Sequence, residues 1–159
     1  MFTFQSLASV LRLNTRLLLN CFDAITDADA RRQPNEHTNN LIFLGCHLVD
    51  SRHLLAAQLD EPQFNPFSDR LDGISGIHDM VAFPSVEEVR VAWSTLAPHV
   101  HRRVENLRPE EIALAAALRF PVDDRSVGGM VAFLVQHESY HIGQMASIRK
   151  YLGYPSMKY

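Results

Sequence analysis

Four segments of the chain carry apolar residues at intervals of three and four, and none shows the strict alternation of a half-buried strand. That period marks one face of a helix, so it restricts the fold to helices packed on helices. The first segment, Phe4 to Phe22, places Leu7, Val10, Leu11, Leu17, Leu18 and Cys21 in this register. The second begins at Asn39 or Asn40, either a good N-cap, and runs to about Gln58 with Leu44, Leu48 and Leu55 on one stripe. The third opens on Ser85-Val86-Glu87-Glu88, a capping box behind Pro84, and continues to Leu107, with Pro98 expected to kink or split it. Ser126 can cap the fourth, whose stripe is Val127, Met130, Leu134, His137, His141, Met145, Ile148 and Leu152. Gly153 closes that segment and Pro155 prevents its continuation.

These four faces predict an all-α, antiparallel-type four-helix bundle, a single domain over residues 1–159. The connections are unequal. A turn-like stretch covers Asp27 to Asn35, and an Ala-rich piece, PEEIALAAALRF, leads into a loop at Pro121–Asp124. Residues 60–84 hold three prolines, two glycines and no sustained periodicity, which predicts a long loop between helices 2 and 3. Loops of that length in compact domains are usually functional. This one is expected to cover a pocket and to let the second and third helices lie parallel or across a diagonal.

A net charge of -3 with scattered Lys and Arg argues against nucleic acid or an anionic membrane surface as partner, because both are bound through clustered basic residues. The uncharged stretches His37–Val49 and Ser126–His137 are too short to span a bilayer, which takes ~20 apolar residues. The apolar N-terminus is interrupted by Arg12, Asn14 and Arg16 and reads as an amphipathic helix rather than a signal peptide. Two cysteines, Cys21 and Cys46, each within a helical pattern, suit reduced, buried thiols in a cytoplasm. A homodimer is the expected assembly on the frequency of such symmetry.

His137 and His141 stand in the fourth stripe where core residues would otherwise lie, one turn apart on one face. Two imidazoles so placed can hold one metal ion at about 2.0–2.1 Å. The pentapeptide His137-Glu138-Ser139-Tyr140-His141 also has the H-E-x-x-H spacing of zinc proteases, but Ile142 to Tyr159 contains no His, Asp or Glu to supply their downstream third ligand. A di-iron bundle is a second rival, through Asp50-x-x-His53 and Glu138-x-x-His141, but it needs an inward carboxylate that Met1 to Phe22 lacks. A third ligand must therefore come from upstream. His37 and His78 fall in loops, His53 reads as lying on the polar side of the second helix, and His99 and His101 read as surface residues near a helix C-terminus. His47, inside the apolar run LIFLGCHLV, is the best choice. Asp50 or Gln144, each three residues beyond a candidate ligand, is expected to accept a ring N–H. Glu138 is expected to form an outward salt bridge rather than act as general base, and Tyr140 and Trp93 are expected to pack.

The segments NNLIFLGCHLVDSRHLL, NPF, FPSVEEV and HESYHIGQMASIRKYLG together resemble the DinB-like (damage-inducible) superfamily of small four-helix bundles, which is distinct from the lesion-bypass polymerase of similar label. The resemblance implies a divalent transition metal, zinc or nickel, held by three histidines that correspond to His47, His137 and His141. It also implies a thiol transferase type of activity, in which a low-molecular-weight thiol or water is activated for attack on a small electrophile. The alternatives are a metal-dependent hydrolase, or a non-catalytic, metal-stabilised bundle that acts through protein contacts.

Overall fold

The computed structural model describes residues 4–159. Of the expected amphipathic N-terminal helix, Met1 to Thr3 lie outside the described residues. Four long helices make up the body: the first Phe4–Cys21, the second Leu41–Gln58, the third Val86–Glu105 and the fourth Val127–Tyr151. Their starts follow from side-chain caps. Asn40 accepts the Phe43 N–H at 2.8 Å, Ser85 accepts the Glu88 N–H while Glu88 reaches back to the Ser85 N–H, and Ser126 accepts the Gly129 N–H. Each satisfies a donor that a helix start leaves without a partner in its own ladder. Gly153, at φ 89°, ends the fourth helix in the left-handed region that favours glycine.

The first helix packs on the third and fourth, and so does the second. The diagonals are therefore the pairs first–second and third–fourth. Directions follow from the side-chain contacts. Gly45 lies against Val89 and Leu59 accepts from Arg103, so the second and third helices are parallel, near start to near start and end to end. Asn14 meets Val135 and Cys21 meets Ile142, so the first and fourth are parallel too. The first and third run oppositely, Arg12 pairing with Glu105 and Thr15 with His101. The bundle is thus up-down-down-up, and residues 60–84 carry the chain back along the length of the second helix. The diagonal alternative for the second and third helices does not hold; the parallel one does.

That connecting segment is not structureless. It contains helical turns at Ser68–Leu71 and Ile77–Asp79, and it sinks Phe67, Ile77 and Met80 into the core. Pro98 neither splits nor breaks the third helix, which is continuous through it. The ladder bond that proline cannot make would have ended at Ser94, and both residues lie on the exposed side, where water can satisfy the freed carbonyl. Gly45 marks a close approach: a β-carbon there would stand 2.9 Å from both Phe22 and Val89. Among the described residues no helix is long and apolar enough to cross a membrane.

A buried polar network crosses the core between two apolar clusters. Arg52 is fully buried and donates to both oxygens of Glu138, at 2.8 and 2.7 Å. Its guanidinium lies 3.4 Å over the Trp93 ring, and its third nitrogen donates to Thr15 Oγ1 at 2.7 Å. Asn14 donates to Glu138, Trp93 Nε1 donates to the Thr15 carbonyl, and Thr15 Oγ1 meets His101 Nε2 at 2.9 Å. Two sequence expectations are corrected here. Glu138 makes an inward rather than an outward ion pair, and Arg52, with its neighbour His53, belongs to the buried side of the second helix. The cause is that the second and fourth helices are covered by more than their two helix neighbours, the second by the 60–84 segment and the fourth by the Pro109–Ile112 turn, so each buries more than one stripe.

Removing one member of a desolvated ion pair strands its partner, which typically costs about 3–5 kcal/mol, whereas replacing both by apolar groups of similar volume is often near neutral. Glu138→Leu alone is therefore expected to lower unfolding stability by about 3–5 kcal/mol. The Arg52→Met/Glu138→Leu double variant is expected to recover most of that loss. Chemical denaturation of the three proteins measures both.

Candidate metal centre

His47 sits mid-way along the second helix, and His137 and His141 sit one turn apart on the fourth. Because these helices are adjacent, the three rings meet. His137 Nε2 is 3.1 Å from His47 Nε2 and 3.1 Å from His141 Nε2. One nitrogen from each ring lies within 4.8 Å of the other two, and all three side chains are half-buried. The rings stand edge to face, with centroids 4.5–5.0 Å apart, so the nitrogens, not the ring faces, converge.

The donor set suits a divalent cation. Two nitrogens at about 2.05 Å from one ion are roughly 3.3 Å apart in a tetrahedral site and roughly 2.9 Å apart in an octahedral one. The observed 3.1 Å falls between. The protonation pattern agrees. Gln144 donates its amide N–H to Tyr140 Oη at 3.1 Å, which turns its oxygen toward His141 Nδ1 at 2.7 Å. That oxygen can only accept, so the His141 proton is held on Nδ1 and its Nε2 lone pair points into the cluster. Ser51 Oγ approaches His137 Nδ1 at 3.4 Å from the same side of the second helix as His47. Burial, and then the neighbouring His141 and His137, push His47 down to about 4. Burial and His141 also lower His137. At neutral pH these rings are uncharged, the state in which imidazole binds metal.

The other sequence candidates separate clearly. Gln144 contacts a triad ring. Asp50 is exposed and accepts from Asn65 at 2.8 Å, so it binds the connecting segment rather than a ring, although it lines the same cavity as His47 and His141. Glu138 faces away into the Arg52 network. His37 and His78 are exposed. His101 is not a surface residue: its ring bonds Thr15, and burial, then Arg52 and Arg12, bring it to about 4. Trp93 packs as expected, but Tyr140 is 56% exposed and works through Gln144 instead. Ser51 and Tyr140 are the contacts the sequence reading missed. Ser51 was detectable, lying four residues after His47 and hence on its face of the helix.

A cavity of about 320 Å³ opens against His47 and His141, walled by Phe43, Leu44, Leu71 and Ile74 with Asp50 and Ser75 among its polar groups. A second recess of about 640 Å³, bordered by Tyr140, Gly143 and Gln144, adjoins it through Asn39 and Leu44. The connecting segment thus forms a wall of the first cavity.

This bundle with a histidine cluster between two adjacent helices defines the class of protein. The sequence profile of the DinB superfamily matches residues 11–145, and the chain belongs to that superfamily. Among solved structures, the fold is similar to the crystal structure of a conserved protein from Enterococcus faecalis, with a TM-score of 0.76 over 96% of this chain and 98% of that one. The two are 11% identical, so the likeness is one of fold. No functionally curated protein matches the chain.

The depressed histidines give a pH dependence. Below pH 6.5 the unfolded chain takes up protons at these positions that the folded chain refuses until about pH 4. The histidine contribution to the stability of the metal-free protein therefore falls as pH drops from 6.5 toward 4, the sign set by the excess protons of the unfolded state. Thermal unfolding in chelator across pH 4–7 is expected to show this fall, and His101→Gln is expected to flatten it.

Proposed function

We propose that the protein is a divalent-metal-dependent enzyme of the thiol transferase type, holding zinc or nickel through His47, His137 and His141. The observation that carries this reading is the convergence of three imidazole nitrogens at the edge of a cavity. A divalent ion held there supplies Lewis acidity, acidifying bound water or keeping a thiol as thiolate at an open position.

The chain's own residues prepare that chemistry. Gln144 fixes the His141 tautomer, and burial keeps His47 unprotonated. Phe43, Leu44, Leu71 and Ile74 give the cavity an apolar wall, while Asp50 and Ser75 offer polar atoms that orient a small molecule. Two adjoining recesses give room for two reactants, which favours a transferase over a hydrolase. The protein's own thiols are poorly suited to be the nucleophile. Cys21 and Cys46 are buried, and that burial pushes each up to about 12. The attacking sulfur therefore comes from a small soluble thiol. Two buried free thiols also fit work in the reducing cytoplasm.

Metal analysis of the purified protein is expected to find one divalent ion per chain, and His47→Ala to lose most of it. Unchanged stoichiometry in His47→Ala would remove this residue from the site. Gln144→Leu, which frees the His141 ring, is expected to weaken metal affinity about 10–100-fold. Conjugation of small thiols to a panel of electrophiles is expected to stop on chelation. Turnover indifferent to chelator would sink the metal-dependent mechanism.

A further inference from the structure

The outer face of the third helix is exposed along its length, and its chemistry changes from one end to the other. The exposed stripe is Glu87, Val91, Ser94, Thr95, Pro98 and Arg102, with a carboxylate at the start, a guanidinium at the end and small residues between. Beside the stripe, between the second and third helices, lies a cleft of about 550 Å³ with an apolar floor of Phe67, Ala92 and Leu96. Phe64 stands at its edge 86% exposed, and Val91 is 52% exposed. Large apolar side chains clustered on such a surface mark a contact face, whereas single ones do not.

The stripe is complementary to its own reverse. A two-fold axis between Ser94 and Thr95 sets those two residues against each other across the pair, Val91 against Pro98, and Glu87 against Arg102. Opposite charges then meet at both ends of the contact, and the small side chains between them let the two helices approach closely. The charged ends are free to make that contact. Glu87 reaches only Arg90, at 3.8 Å, and Arg102 spends one nitrogen on Glu61 at 3.1 Å. Both pairs lie at the surface, where such pairs hold weakly, and a guanidinium keeps further donors for a second carboxylate.

Phe64 lies at the height of the same axis. Gly45 is level with Val89 and Leu59 with Arg103, a constant stagger along the two parallel helices that puts Asp50 level with Ser94. Asp50 accepts from Asn65 at 2.8 Å, which holds the neighbouring Phe64 at that height. A rotation about the axis therefore brings the Phe64 ring of each copy to the cleft of the other.

We propose that a second copy of this chain covers the cleft, the two third helices packing antiparallel about this axis with Phe64 of each copy seated in the other's cleft. None of the triad histidines lines the cleft, and the contact is independent of the reading given for the triad.

The test is sedimentation equilibrium of the full chain over a wide range of concentration, with and without chelator. A reversible monomer–dimer equilibrium is expected, unchanged by chelator. Phe64→Ser, at a position exposed in the single chain, is expected to weaken dimerisation by about tenfold or more without lowering the thermal midpoint of the monomer. Glu87→Lys and Arg102→Glu are each expected to be monomeric alone, because each sets like charges together at both ends of the contact. Mixed in equal amounts, these two variants are expected to form a heterodimer, since each end then holds one cation and one anion again. The proposal is overturned by a chain that stays monomeric at every concentration, by a dimer indifferent to Phe64→Ser, by single charge variants that remain dimeric, or by a mixture that fails to associate. A dimer lost on chelation would place the contact at the triad and also overturn it. So would a small apolar molecule held in the cleft and seen by native mass spectrometry, which would make the cleft a ligand site.

Discussion

The Arg52–Glu138 pair is the constraint on which the arrangement of helices depends. An apolar core tolerates sliding and repacking at modest cost, because hydrophobic contact has little directionality. A desolvated guanidinium bound to both oxygens of a carboxylate does not. It fixes the second helix against the fourth in height and in rotation, and its stacking on Trp93 and bond to Thr15 extend the same constraint to the third and first. Glu138 and His137 are sequence neighbours, and Ser51 and Arg52 are sequence neighbours on the facing helix. The register that satisfies the ion pair is therefore the register that brings His47 and Ser51 to His137.

Positioning and chemistry are thus divided between adjacent residues of the same two helices. One face of the fourth helix looks into the core and is held by charge, and the face a third of a turn away carries the imidazoles toward the cavity. Glu138 shows the division most clearly. Its spacing to the two histidines matches that of a metalloprotease base, yet both its oxygens are bound by Arg52, so it serves the fold and leaves the ring environment to Gln144, Tyr140 and Ser51.

The four helices were legible in the sequence because their signals are local: caps at Asn40, Ser85 and Ser126 and a glycine stop at 153 act within a turn of themselves. The meeting of His47 with His137 and His141 was legible because a histidine within an apolar run has few other places to put its ring. Bundle direction was less so, since antiparallel neighbours are only the default and residues 60–84 had to be seen lying along the second helix. The inward ion pair was missed for a specific reason. Val131, Val135, Glu138, Ile142 and Met145 form a second buried stripe on the fourth helix, beside the one through the histidines. A charge on an apolar stripe in each of two helices is the trace such a pair leaves. His101 reads as a surface residue in the sequence because its partner, Thr15, is far away along the chain.

The scaffold around the triad is closed by contacts among its own side chains: its helix starts are capped, Arg52 and Glu138 neutralise each other, and the His141 ring is held by Gln144. On the proposed reading, a cation arriving there would meet a socket already formed, unlike in small metal-nucleated domains, where coordination and folding are one event. Loading and unloading would then proceed while the helices stay put.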